Sequence, residues 1–276
     1  MKLALFNDFQ LGLVKEEMIY DISLLLPNPT GGCPMTLLIE HFDDYKTTIE
    51  QEYHRQPSYR LNDVRLRQPL SRPGKIVAAP VNYMSHKKEM NVDHTARVLG
   101  FFLKATTSII GPNDPIILPY NNRRIDHELE LAFVIGKRAK HVKKENAHDY
   151  IFGYTGLNDV TVRPTKNREE ERCLRKSFDT FTPIGPWIVT SDEIKDPQNL
   201  TISLQVNHEV RQHVNTNQMV CGIAELVEIF SHVMTLEPGD LIATGTPDGV
   251  GPIKDGDTVT LQMESIGSFS NPVVLE

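Results

Sequence analysis

The 276-residue sequence predicts a strand-rich α+β fold, with a small N-terminal α/β module ahead of a larger domain. Three observations predict it. Short apolar runs bounded by turn residues recur along the chain, as in Lys75 to Ala79, Glu128 to Ile135 and Leu200 to Val206. Segments with helical periodicity do not alternate regularly with these runs, which argues against a doubly wound parallel sheet. A polar stretch from Asn62 to Pro73, with two prolines, reads as a linker between residues 1–68 and residues 69–276.

Element by element, Leu3–Phe6, Gly12–Val14 and Met18–Leu25 read as short β runs. A helix is expected over about Met35–Gln56, where Leu37, Leu38, Phe42 and Tyr45 recur at helical spacing. Ser85–Leu103 can hold a second helix and Ile223–His232 a third. Pro238-Gly239-Asp240 and Asp255-Gly256-Asp257 each place turn chemistry directly before a β run, Leu241–Ala243 and Thr258–Leu261.

A hydrophobic content of 39% supports an ordinary packed core, and one large or two unequal domains fit a length prior of ~150 residues per domain. The net charge of −7 argues against a nucleic-acid partner, although a local cation can still let an acidic protein bind an acid. Cys33, Cys173 and Cys221 fit neither a zinc pattern nor a disulfide framework, so a reducing compartment is expected. The N-terminal residues lack a long apolar core, and no stretch approaches the ~18 apolar residues of a membrane span. The expectation is a cytoplasmic protein with no membrane partner.

The sharpest local feature is Asp126-His127-Glu128-Leu129-Glu130-Leu131-Ala132-Phe133-Val134-Ile135-Gly136. On a strand, Glu128 and Glu130 project from one face, Leu129 and Leu131 from the other. Two carboxylates running into an apolar strand are costly unless a positive charge neutralises them. A hard divalent cation such as Mg²⁺, Mn²⁺ or Ca²⁺ would do so. The plainer alternative is a solvated face with the glutamates paired to Lys or Arg.

Glu128-Leu129-Glu130-Leu131-Ala132 with Val134-Ile135-Gly136-Lys137 resembles the metal strand of the fumarylacetoacetate hydrolase family. Further segments agree in order: Arg72 to Ile76 with Asn82-Tyr83 and His86, Phe101 to Lys104 with Ile110-Gly111-Pro112, and Gly153-Tyr154-Thr155 with Asn158-Asp159-Val160. Lys176 to Asp179 with Gly185-Pro186-Trp187, then Pro238-Gly239-Asp240 with Thr244 to Pro247, complete the match over about residues 70–275. The resemblance implies a mixed β-roll, usually homodimeric, with Mg²⁺ or Mn²⁺ on Glu128, Glu130 and Asp159. It implies a small-molecule 2-oxo acid substrate, with a C–C bond of a 2,4-dioxo acid such as an acylpyruvate hydrolysed through a metal-bound enolate.

The resemblance places a His–Glu pair on His86 and Glu89, three residues apart as a helix would align them, with His86 as general base and Glu89 orienting it. It places an active-site lysine on Lys176, to stabilise an oxyanion or enolate. Tyr83, Arg163 and Thr246 are the expected substrate contacts; Arg163 could instead pair with a ligand carboxylate. The plain alternatives are an exposed helix for His86 and Glu89, a solvated charge run for Arg168 to Lys176, and a simple turn for Thr246. The sequence departs from the family after Asp159. Many relatives continue Ser-Ala-Arg-Asp with a Gln two residues later, whereas this chain has Thr161-Val162-Arg163-Pro164-Thr165-Lys166. Lys166 would suit a second anionic group on the substrate. Decarboxylation of oxaloacetate, isomerisation of ring-cleavage 2-oxo dioic acids, and metal or ligand binding without catalysis are the alternative functions.

Overall fold

A computed structural model describes residues 1–26, 32–165 and 170–276. Lys166 lies outside the described residues. Three sheets dominate: one of eleven strands, one of three and one of five. Five of the eleven-stranded sheet's central neighbours run in the order Lys2–Phe6, Thr182–Thr190, Ile151–Asn158, Leu129–Ile135, Leu241–Ala243. The five-stranded sheet contains Thr201–Val206 and Thr258–Met263, both anticipated from their β runs. The architecture is the strand-rich α+β fold that the sequence predicts.

Residues 1–68 extend the large sheet instead of building one of their own: Lys2 and Leu3 pair antiparallel with Val189 and Ile188. The Asn62–Pro73 segment runs back along the first strand, where Arg67 N–H donates to the Leu5 carbonyl at 2.8 Å and Leu70 is buried. It connects the two parts while held to both.

The helix expected over about residues 35–56 is two helices, Pro34–Glu40 and Phe42–Glu52, broken at His41 (φ −120°, ψ 23°). The break turns Phe42 edge-on to Phe152 at 5.0 Å, so tertiary aromatic packing overrides continuous helical periodicity. Ser85–Leu103 likewise splits into Met84–Met90 and Ala96–Leu99, because Asn91 ends the first helix in the left-handed region (φ 51°).

Strand Leu129–Ile135 is buried along its whole length and separates two cores. Leu129, Leu131, Phe133 and Ile135 pack with Leu226, Val227 and Phe230 of helix Ile223–Val233. Ala132 and Val134, on the same face as the glutamates, pack with Leu3, Leu5 and Ile39 of the N-terminal part. Two apolar faces hold this strand rigid and fix the direction of the acidic residues at its start.

Candidate active site

Glu128 sits at the corner between strand Ile125–His127 of the small sheet and strand Leu129–Ile135 of the large one. Glu130 is the second residue of the latter. Asp159 follows strand Ile151–Asn158, whose register sets Asn158 against Leu129. The Asp159 N–H donates to the Glu128 carbonyl at 2.8 Å, and the Glu128 N–H donates to Asn158 Oδ1 at 3.0 Å. Backbone pairing therefore brings the three carboxylates together. Each offers an oxygen within 4.8 Å of the others, and all three side chains are buried.

Buried cations brace this cluster. Lys176 Nζ donates to Glu128 Oε2 at 2.8 Å, Asp159 Oδ2 at 2.6 Å and Thr161 Oγ1 at 2.7 Å. Lys104 Nζ donates to Asp159 Oδ1, and to the Phe181 carbonyl at 2.8 Å. Arg163 bridges Asp126 and Glu128 at 2.6 and 2.7 Å. Burial works against ionised Glu128, but Lys176 and Arg163 outweigh it and hold its carboxyl well below the usual range. Glu130 goes the other way: burial, then the neighbouring Asp159, push its carboxyl up. Burial lowers the Lys104 ammonium, while Asp159 and Glu128 raise that of Lys176 against burial. Glu130 alone of the three carboxylates has no ion pair among the described residues. An all-oxygen donor set with one unpaired carboxyl group fits a hard divalent cation.

Glu130 Oε2 accepts from the Gly245 N–H at 2.7 Å. Gly245 has φ +92°, and a Cβ there would stand 2.7 Å from Asn82 Cβ, so glycine is required. Asn82 is itself pinned: its amide donates to the Cys221 and Thr244 carbonyls and accepts from the Cys221 N–H, each at 2.8 Å. Helix Met84–Met90 starts just beyond it. On that helix His86 Nδ1 lies 3.0 Å from Glu89 Oε2, and Glu89 Oε1 accepts from the Gly249 N–H at 2.9 Å.

One cavity of about 320 Å³ is lined by all three carboxylates together with His86, Arg163, Lys176 and Thr246. The structure thus brings together eight of the nine residues singled out in the sequence, counting Glu89 through its bond to His86. Tyr83 stays outside the cavity wall; it is fully buried, and burial with the nearby Glu130 raises its phenol. Its hydroxyl has no hydrogen-bond partner among the described residues. His86, Lys176 and Thr246 are each no more than 5% exposed, whereas Glu89 on the same helix as His86, and Glu171, Cys173 and Leu174 beside Lys176, are exposed. Of the two uses considered for Arg163, the structure has the carboxylate pairing.

Lys104 and Gln212 were not legible as site residues. Gln212 accepts from the Leu129 N–H at 2.8 Å and donates to Thr246 Oγ1 at 2.9 Å, tying the acidic strand to the Gly245 turn. Nothing local marks that glutamine. A lysine closing the apolar run Phe101-Phe102-Leu103 is a signal, because a buried ammonium needs a buried anion.

Residues 75–274 match the fumarylacetoacetate (FAA) hydrolase C-terminal family. Among curated proteins, a maleylpyruvate hydrolase of Aquipseudomonas alcaligenes is 41% identical over 98% of this chain and 98% of its own. A mitochondrial oxaloacetate tautomerase of Xenopus laevis is 42% identical over 96% of this chain and 86% of its own. The crystal structure of maleylpyruvate hydrolase from Sphingobium sp. SYK-6 in complex with manganese(II) and pyruvate is 39% identical, with a TM-score of 0.89 over 100% of this chain and 99% of that one.

Proposed function

Since the chain belongs to the fumarylacetoacetate hydrolase family, we propose that it is a divalent-metal-dependent hydrolase cleaving a C–C bond in 2,4-dioxo acids, with maleylpyruvate as the first substrate to try. The observation that carries this reading is the single cavity lined by three converging buried carboxylates and by a glutamate-oriented histidine. Mg²⁺ or Mn²⁺ is the proposed metal, on Glu128, Glu130 and Asp159. When bound there, it would polarise the 2-oxo group and stabilise the negative charge that bond cleavage leaves on the pyruvate fragment.

The chain's own residues supply the rest. Glu89 accepts the Nδ1–H of His86, which fixes the tautomer and leaves Nε2 to take a proton from water. Hydroxide adds to the C4 carbonyl, the C3–C4 bond breaks, and the electron pair moves to C3. His86 returns the proton there, giving pyruvate and the second acid. Lys176 and Lys104 hold the ligand carboxylates in place, a positioning role that differs from direct oxyanion stabilisation by Lys176. Thr246 and the turn around it are the proposed grip on the substrate carboxylate, with Arg163 orienting Glu128. We assign the active form as a cytoplasmic homodimer, to be checked by light scattering.

The test is pyruvate release from a panel of acylpyruvates and maleylpyruvate with Mg²⁺, Mn²⁺ or EDTA. Metal-dependent release is expected. The 42%-identical tautomerase favours a second reading, enolisation or decarboxylation of oxaloacetate, which needs no attacking water. Oxaloacetate belongs in the same panel, and turnover of it alone would replace the hydrolase reading.

A further inference from the structure

The cavity holds more positive charge than its carboxylates use. Arg163 is committed to Asp126 and Glu128, and Lys176 to Glu128 and Asp159. Two more guanidinium groups, Arg172 and Arg175, line the same cavity from the short helix Arg172–Lys176. Arg175 directs Nε to the Glu170 carbonyl at 3.0 Å and Nη1 to the Val162 carbonyl at 3.2 Å, and so has donors to spare. Arg172 has no hydrogen bond or ion pair among the described residues. Both are half-buried. Burial, with Arg163 and then Arg172 beside it, lowers the Arg175 guanidinium.

The charge balance sharpens this. Asp126, Glu128 and Asp159 are already paired with four cations, Lys104, Arg124, Arg163 and Lys176, and Arg172 and Arg175 line the cavity in addition to these. A divalent cation would add two positive charges. A monoanionic substrate leaves the excess uncancelled in a partly dry cavity, whereas a dianion removes most of it. Guanidinium groups suit a carboxylate in particular, because their planar fork matches its two oxygens.

We propose that Arg172 and Arg175 form a second carboxylate subsite that selects dicarboxylic 2-oxo acids over monocarboxylic ones of equal length. It rests on the proposed function only in placing the 2-oxo end of the substrate at the carboxylate cluster. Arg172 and Arg175 are specificity residues in this scheme, remote from the bond that breaks.

The test has two arms on Mg²⁺-loaded protein. One measures Kd by calorimetry for 2-oxoadipate and 2-oxohexanoate. The other measures kcat/KM for maleylpyruvate and butyrylpyruvate, a diacid and a monoacid of equal chain length. The wild-type protein should favour the diacid by roughly 10- to 100-fold in each arm. Arg172→Gln and Arg175→Gln should each cut that ratio by about 10-fold, through KM and with the monoacid constants unchanged. Arg175 also holds two backbone carbonyls, so Arg172→Gln, which removes no bond among the described residues, keeps the test valid if the other variant folds poorly. Equal losses on diacid and monoacid, or no wild-type preference, would overturn the subsite. A binding preference that disappears in Arg172→Gln, with no turnover of either substrate, would keep the subsite and sink the hydrolase reading.

Discussion

Two walls of the cavity are built in opposite ways. The carboxylate wall comes from long strands paired across the large sheet, with apolar cores on both faces, two hydrogen bonds from cationic side chains to each of Glu128 and Asp159, and one from the Gly245 N–H to Glu130. The histidine wall is one seven-residue helix whose far contact with the neighbouring loop is Glu89 on the Gly249 N–H. The first wall resists movement because its strands are paired and packed on both faces and two of its carboxylates are held by buried cations. The second can shift at the cost of few bonds. The contrast separates a part that must hold charge in fixed places from a part that must meet and release the substrate.

The largest effect should come from breaking the rigid wall. Glu128→Ala should lower kcat/KM by about 10⁴-fold and abolish Mg²⁺-dependent thermal stabilisation. Unchanged metal dependence in that variant would contradict the whole assignment. Lys104→Met removes one of the two buried ammonium partners of Asp159, Lys176 being the other, and should cost about 3 kcal/mol in denaturant unfolding of the metal-free protein. An unchanged midpoint would mean that the lysine does not brace the cluster.

The helix wall should behave differently. His86→Gln is expected to cost about 10²- to 10³-fold in kcat while leaving the melting temperature and metal affinity intact. Glu89→Gln should cost less, about 10-fold in kcat, because the imidazole loses the carboxylate that orients it. A stability loss in either variant as large as that of Lys104→Met would erase the contrast between the walls.

The smallest effect belongs outside both walls. Burial raises the carboxyl of half-exposed Asp192, but hydrogen bonds from Lys46 and Thr190 outweigh it and bring it down to about 2. Its folded value lies below its unfolded one. The stability it contributes is therefore present above about pH 4 and is lost as the pH falls towards 2. Solvent screening keeps that contribution under about 1 kcal/mol. An acid-unfolding comparison of wild type with Asp192→Asn should resolve no more than this.

What the sequence revealed follows from the range of each signal. Glu128 and Glu130 were visible because a strand's period of two is local, and the apolar run after them marks burial. His86 and Glu89 were visible through helical spacing joined to the family resemblance. Asp159 needed the resemblance, since only backbone pairing with Leu129 and Glu128 brings it near. Gln212 has no local signature at all, and its role exists only through long-range contacts. Arg172 and Arg175 sat in what reads as a solvated charge run, a pattern that cannot distinguish a cavity wall from an outer face. The break at His41 escaped for the same reason: periodicity describes the chain, and Phe152 lies elsewhere in it.

Asn82 gives this arrangement a fulcrum. Four residues before His86, its amide is locked to Cys221 and Thr244 and its Cβ abuts Gly245, so any swing of helix Met84–Met90 would turn about that end. His86 and Glu89 ride on the same helix and would keep their mutual bond in such a swing. The Gly249 and Asp248 N–H groups, which donate to Glu89 and Ser85, would be left for water to satisfy. On the proposed function, such a swing would carry His86 and Glu89 as a preassembled cassette, so releasing products would not require the base to be rebuilt before the next turnover.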